Sequence, residues 1–139
     1  MSGDRPYLLL VDDDPDDRDL FGVEFETANP SVPVKYASSC QEALKMLEES
    51  SSTLPAVLLI DYQMPGLNGL GLLQILQKMP KYNGITKIMW SSSQRVKDME
   101  DCKTFGASHY LIKPATNAEL SKVIHQLIAV FDFLARERT

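Results

Sequence analysis

Several groups on which whole classes of function depend are scarce in this chain. Only two of its 139 residues are cysteine. Cys40 and Cys102 stand isolated, so they read as reduced thiols within helices, and neither a disulfide framework nor a cysteine metal site is expected. The two histidines, His109 and His125, lie apart without zinc-ligand spacing, which argues against a zinc enzyme. No apolar run approaches the ~18 residues that cross a bilayer. The amino terminus, Met-Ser-Gly-Asp-Arg-Pro, does not follow the basic-then-apolar pattern of a secretory signal. A cytoplasmic protein with no membrane contact is expected. Basic residues are also in the minority: 14 Lys and Arg against 19 Asp and Glu leave a net charge of −5. With no basic stripe, direct nucleic-acid binding is not expected. Internal repeats and low-complexity tracts are lacking too.

What remains is an ordinary globular composition, 44% hydrophobic and 24% charged, at a length suited to one domain. A single domain is expected over residues 1–139, with its core at about residues 7–134. Residues 7–11 are an unbroken apolar run, read as the first strand. Pro15 fits the first turn of a helix capped by Asp14, with Asp16 and Asp17 where the helix dipole favours acid; Leu20, Phe21, Phe25 and Ala28 give its stripe. Residues 34–37 read as a second strand. Ser39 and Glu42 have capping-box form and open a helix through Ala43, Leu44 and Leu47, which residues 50–53 break. Residues 56–60, bounded by Pro55 and by Pro65-Gly66, read as a third strand buried on both faces. The next helix covers about residues 68–78, with Leu72, Leu73 and Leu76 inward, and Pro80 and Gly84 end that segment.

Residues 87–90 give a shorter, less apolar fourth strand. The helix at about residues 94–105 has only a weak stripe of Val96, Met99 and Cys102, and Gly106 is its stop. Residues 109–112 form the fifth strand. Thr116 and Glu119 then open the most amphipathic helix, through Leu120, Val123, Ile124, Leu127, Ile128 and Phe131. Strands that alternate with helices in this way predict a parallel sheet covered on both faces.

The strand ends carry the chemistry. Asp12 and Asp13 follow the first strand, Asp61 the third, Ser91 the fourth and Lys113 the fifth. In a doubly wound α/β sheet of order 2-1-3-4-5, the third strand lies between the first and the fourth, so these side chains meet at the switch point, where ligands bind. Each also has a plainer reading alone: Asp61 as the start of a turn, Ser91 as a turn serine, Lys113 as a solvated loop lysine. Asp14, Asp16 and Asp17 read as helix-capping acids. Two like charges 4 Å apart repel by about 4 kcal/mol at an effective dielectric near 20, a serious fraction of a net stability of about 5 to 15 kcal/mol. Clustered carboxylates therefore call for a cation. Lys113 supplies one charge, and an oxygen-lined acidic site with open positions suits Mg2+. A carboxylate facing a divalent cation, an ammonium and a hydroxyl is equipped to attack a phosphoryl group and become an acyl phosphate.

Val11-Asp12-Asp13-Asp14-Pro15, Asp61-Tyr62-Gln63-Met64-Pro65-Gly66-Leu67-Asn68-Gly69 and Lys113-Pro114 together resemble the motifs of two-component response regulator receiver domains, and the resemblance runs from Leu8 to about Leu134. It implies the flavodoxin-like (βα)5 fold. It also implies that Asp61 is phosphorylated, that Asp13 and Asp61 bind Mg2+ with the backbone carbonyl of Gln63, and that Asp12 acts largely through water. Lys113 matches the family's lysine, commonly followed by a cis-proline. Ser91 matches its threonine or serine, and Tyr110 its aromatic switch residue, which turns inward when the hydroxyl engages phosphate. Positions like Gln63 and Ser93 are expected to tune the lifetime of the acyl phosphate. Trp90 is bulkier than the aliphatic residue usual before the hydroxyl, and Ser92 and Ser93 make that loop more polar.

The resemblance implies a histidine kinase or histidine phosphotransfer protein as donor and an effector protein as the reader of a surface made by helix four, strand five and helix five. With no output domain after the last helix, a stand-alone receiver is expected, one that catalyses only its own phosphorylation and dephosphorylation. Three rival readings stand beside it, of which the first and the last keep a similar fold. A constitutive interaction module would signal without phosphate, and an incomplete pocket is its usual sign. An aspartate-nucleophile phosphohydrolase typically carries a second acid two residues after the nucleophile, where this chain has Gln63. A flavin-binding protein would need a phosphate-cradling loop after the first strand in place of aspartates. Val130 and Phe133 fall off the apolar face of the last helix, either to cap the core's end or to form a homodimer patch.

Overall fold

The computed structural model describes residues 6–49 and 53–138; of the helix break expected at residues 50–53, all but Thr53 lies outside them. Strands β1 (Leu8–Val11), β2 (Val34–Ala37), β3 (Val57–Asp61), β4 (Thr86–Ser91) and β5 (His109–Ile112) alternate with helices α1 (Pro15–Ala28), α2 (Cys40–Glu49), α3 (Gly69–Gln77), α4 (Val96–Thr104) and α5 (Asn117–Arg138). The strands pair in parallel, as the alternation of elements predicted, in the order β2-β1-β3-β4-β5 expected of the doubly wound fold. This is the flavodoxin-like (βα)5 sandwich. β3 sits at the centre with all five residues buried, Asp61 included.

Because successive strand residues face opposite sides, the sheet feeds two cores. On one face Leu9, Val11, Leu58 and Ile60 pack with Leu72, Leu73 and Leu76 of α3 and with Ala43 and Leu47 of α2. On the other, Leu8, Leu10, Val57 and Leu59 pack with Phe21 and Phe25 of α1 and with Leu120, Ile124 and Leu127 of α5. Phe21 lies between Phe25, stacked at 5.6 Å, and Trp90, edge-on at 5.5 Å. The bulk of Trp90, unusual in its position, is thus absorbed by an aromatic pair on α1.

The caps set where helices begin. The Asp14 carboxylate accepts the Asp16 N–H at 2.9 Å at the head of α1, and the Asn68 carbonyl oxygen accepts the Gly71 N–H at 2.9 Å at the head of α3. Ser39 and Thr116 accept from the N–H groups of Glu42 and Glu119. The two glutamates reach back one residue further than a capping box requires, to the N–H groups of Ser38 and Ala115. Gly106, just past α4, has φ +106°, a conformation L side chains rarely adopt.

Four expectations need correcting. In α1 the expected stripe is only half buried, with Phe21 and Phe25 in the core and Leu20 and Ala28 exposed. β4 is the longest strand, not a short one; it starts at Thr86 because buried Lys87 satisfies its ammonium on the carbonyls of Tyr82 (2.8 Å) and Ile85 (3.2 Å). On α4, Val96 is 67% exposed while Asp98 is buried, since hydroxyls on neighbouring loops receive that carboxylate. Every peptide bond among the described residues is trans, Lys113–Pro114 included, the isomer that X–Pro bonds favour by about 0.5–1 kcal/mol.

Candidate functional site

The carboxyl edges of β1, β3 and β5, with the first turn of α1, bring three acids around one ammonium. Lys113, one residue past β5, donates to Asp12 Oδ2 at 3.0 Å, Asp17 Oδ2 at 3.0 Å and Asp61 Oδ2 at 3.2 Å. Its Nζ also lies 5.2 Å from the centre of the Trp90 ring. Asp12, fully buried, is fixed at three atoms. Its Oδ1 accepts the Asp14 N–H at 2.9 Å, its Oδ2 takes Lys113, and its backbone carbonyl accepts Arg18 Nη1 at 2.7 Å. Asp61 Oδ1 accepts the Gln63 N–H at 3.1 Å, so the loop after β3 curls back over the carboxylate. Asp13 is exposed and opens the cluster to solvent.

Asp12, Asp13 and Asp61 each offer one oxygen, and these oxygens lie within 4.8 Å of one another. Hard oxygen donors from one or two carboxylates, with an open side, are what Mg2+ requires. The residues present fit that ion. Burial, with Asp12 adding to it and the Lys113 charge opposing, pushes the Asp61 carboxyl up to about 6. For Lys113 burial works against the ammonium, but the Asp17 hydrogen bond and the charges of Asp61 and Asp12 outweigh it and raise its pKa. Lys113 therefore stays charged at neutral pH, while Asp61 holds its proton more firmly than an exposed carboxylate.

Close packing holds Asp61 in place. A Cβ on Gly69, at the head of α3, would lie 2.6 Å from the Asp61 carbonyl oxygen and 2.7 Å from Met89 Cε. Only glycine lets α3 start this near the end of β3. The thiols nearby play no part. Cys40 and Cys102 are both buried; burial pushes them up to about 12 and about 11, which leaves them unreactive.

On the other side of the site, Ser91 ends β4 fully buried, and its hydroxyl oxygen accepts the Ser93 N–H at 3.0 Å. Tyr110 is half-buried in β5 and donates its hydroxyl to the Ser93 carbonyl at 3.0 Å. The site residues read from the sequence thus fall into two groups. Asp12, Asp13, Asp61 and Lys113 share one cluster, with the Gln63 backbone at its edge. Ser91 and Tyr110 are joined through Ser93 on the adjoining loop.

Two participants escaped the sequence reading. Asp17 was read as a dipole-favoured acid of α1, yet it holds Lys113. The available signal was direction, since helical side chains point back toward the N-terminus, which in α1 is the site. Asp98 sits in a charged helix and takes hydroxyl bonds from Tyr62 at 3.2 Å and Ser93 at 2.6 Å. Nothing in its local sequence separates it from a solvated acid.

Known proteins resemble this chain in sequence and in fold. The family model of the response regulator receiver domain matches residues 8–125. An uncharacterized 14.6 kDa protein of Leptolyngbya boryana is 33% identical over 124 residues, covering 89% of this chain and 91% of that protein. The two-component response regulator ORR12 of Oryza sativa subsp. japonica is 27% identical over 122 residues, covering 88% of this chain and 98% of its own. Two solved structures have the same fold. One is the phosphorylated cyanobacterial phytochrome response regulator RcpA, at TM-score 0.80 and 20% identity over 88% of this chain and 91% of that one. The other is the Mn2+-bound response regulator Rcp1, at TM-score 0.78 and 21% identity over the same shares. A family match over most of its length, on a sheet of the expected order, means that this chain belongs to the response regulator receiver domains of two-component systems.

Proposed function

We propose that this domain accepts a phosphoryl group on Asp61 and passes the change to a partner protein through α4, β5 and α5. The observation that carries the reading is the Lys113 ammonium 3.2 Å from the Asp61 carboxylate, beside carboxylate oxygens of Asp12, Asp13 and Asp61 within 4.8 Å of one another. The donor is a phosphohistidine on a histidine kinase or histidine phosphotransfer protein. An Asp61 oxygen attacks phosphorus and the P–N bond breaks. Its electron pair stays on the imidazole, which takes up a proton, and Asp61 becomes a mixed anhydride. Asp12, Asp13, Asp61 and the Gln63 backbone carbonyl would hold Mg2+, whose charge neutralises the transferring oxygens when it is bound. Support for a divalent ion also comes from Rcp1, described in a Mn2+-bound form.

Lys113 leaves Asp61 for a phosphoryl oxygen and keeps Asp12 and Asp17 as anchors. The Ser91 hydroxyl donates to another phosphoryl oxygen, and Tyr110 fills the space behind it. The outcome is a shift between two packings of the α4, β5 and α5 surface, which an effector protein reads. Residues 1–139 act as one domain in the cytoplasm, and the chemistry is limited to gain and hydrolysis of its own phosphate. Incubation with a small phosphodonor and Mg2+ should add one phosphate by intact mass. Chelation should abolish the gain, and an Asp61→Asn variant that still gained it would refute the assignment.

A further inference from the structure

Asp98 is 7% exposed on a helix whose Val96, Lys97, Glu100 and Lys103 face solvent. Lysine and arginine make no ion pair with it among the described residues; Lys97 is engaged with Asp101 at 3.3 Å. Its two oxygens are divided between two loops. Oδ1 accepts the hydroxyl of Tyr62, which directly follows Asp61, at 3.2 Å, and Oδ2 accepts the hydroxyl of Ser93, two residues past Ser91, at 2.6 Å. The Ser93 bond first, and the Tyr62 bond with it, hold the Asp98 carboxyl below the usual carboxylate range, so both hydroxyls meet a charged acceptor. Ser93 is also the residue whose N–H meets Ser91 Oγ and whose carbonyl receives Tyr110.

We propose that Asp98 is a positioning residue that ties α4 to both loops of the phosphorylation site, so that the packing with Tyr110 docked on Ser93 and the place of α4 form one cooperative unit. The proposal rests on the reading of Asp61 as phosphoacceptor. If Ser91 moves toward a phosphate on Asp61, Ser93 moves with it, and a helix bonded to Ser93 and Tyr62 by one carboxylate has to follow. In the present packing Asp98 holds Ser93 where its carbonyl accepts Tyr110. Coupling of this kind is reciprocal: whatever frees α4 from the loops removes the work of moving it and so tightens phosphoryl binding.

The test uses the full chain with Mg2+ and beryllofluoride, which mimics the phosphoryl group on aspartate. Wild type, Asp98→Ala, Asp98→Asn and Tyr62→Phe are compared by amide hydrogen exchange of α4 and by half-saturation followed on Trp90, the sole tryptophan. In wild type beryllofluoride should change exchange in α4. Asp98→Ala should still gain phosphate on Asp61 by intact mass, yet lose the α4 response and lower half-saturation by roughly fivefold or more. Asp98→Asn, which keeps one acceptor oxygen, should recover part of both, and Tyr62→Phe should fall between. Wild-type responses in both Asp98→Ala and Tyr62→Phe overturn the proposal while leaving the phosphoacceptor intact. Failure of the wild-type chain to take up phosphate brings down the reading of Asp61 and this proposal together. If Asp98→Ala does not fold, Tyr62→Phe decides alone.

Discussion

Replacing Asp61 by asparagine should make the metal-free protein more stable, although it removes a hydrogen bond to Lys113. In the folded chain the Asp61 carboxyl is raised from an ordinary 3.8 to about 6, with burial the largest cause. A carboxyl whose folded pKa lies above its unfolded one favours the folded state when protonated. Stability is therefore lost as pH rises from about 4 to about 6 and stays lost above. A shift of about 2 units, at 1.36 kcal/mol per unit, amounts to about 3 kcal/mol. Asparagine resembles the protonated side chain in shape and lacks the charge. Urea unfolding at pH 7.5 with a chelator should show Asp61→Asn ahead by up to about 3 kcal/mol, or about 10 °C in Tm for a domain of this size. The gap should close toward pH 4. Saturating Mg2+ should narrow it at pH 7.5, because an ion bound only by the folded wild type returns stability to it. A variant equal to or less stable than wild type at pH 7.5 in chelator would refute the claim that the acids are crowded at a cost.

Lys113→Met leaves buried Asp12 and Asp61 without their ammonium and should cost about 3 kcal/mol or more by urea midpoint in chelator; adding Asp61→Asn should recover part of it. Mg2+ affinity measured by calorimetry should level off above about pH 7 and fall by about tenfold between pH 7 and pH 5, because the ion then competes with a proton on Asp61; an affinity that stays constant over that range would contradict this. Gly69→Ala forces a Cβ to within 2.6 Å of the Asp61 carbonyl and should lower stability by about 1–3 kcal/mol while slowing phosphate uptake, both readable on the same preparation.

The fold was largely legible because burial writes itself into composition. A central parallel strand has no solvent face, so residues 57–60 could only be apolar, and the break to Asp61 marked the sheet edge where chemistry collects. Alternation predicted the parallel sheet, the order 2-1-3-4-5 was that of the doubly wound fold the resemblance implies, and the convergence of Asp12, Asp13, Asp61 and Lys113 followed from that order. What stayed hidden depends on partners distant in sequence. Lys87 looks like a strand boundary until the carbonyls of Tyr82 and Ile85 receive it. Val96 continues an apolar stripe, yet it faces solvent because the inward place belongs to Asp98 and two hydroxyls from other loops. Asp17 has the ordinary look of an acid in a first helical turn, and only the position of Lys113 across the site gives it a second task. Periodicity reports which face is buried, and it is silent on which polar group the burial satisfies.

The central claim is that the Asp61 carboxylate becomes the acyl phosphate. After treatment with a small phosphodonor and Mg2+, reduction with borohydride converts an acylated aspartate to homoserine, and peptide mass mapping then finds the position. Conversion confined to Asp61, and absent when Mg2+ is chelated, is the predicted result. Conversion at Asp12 or Asp13, or none in a chain that has gained phosphate elsewhere, would contradict the account.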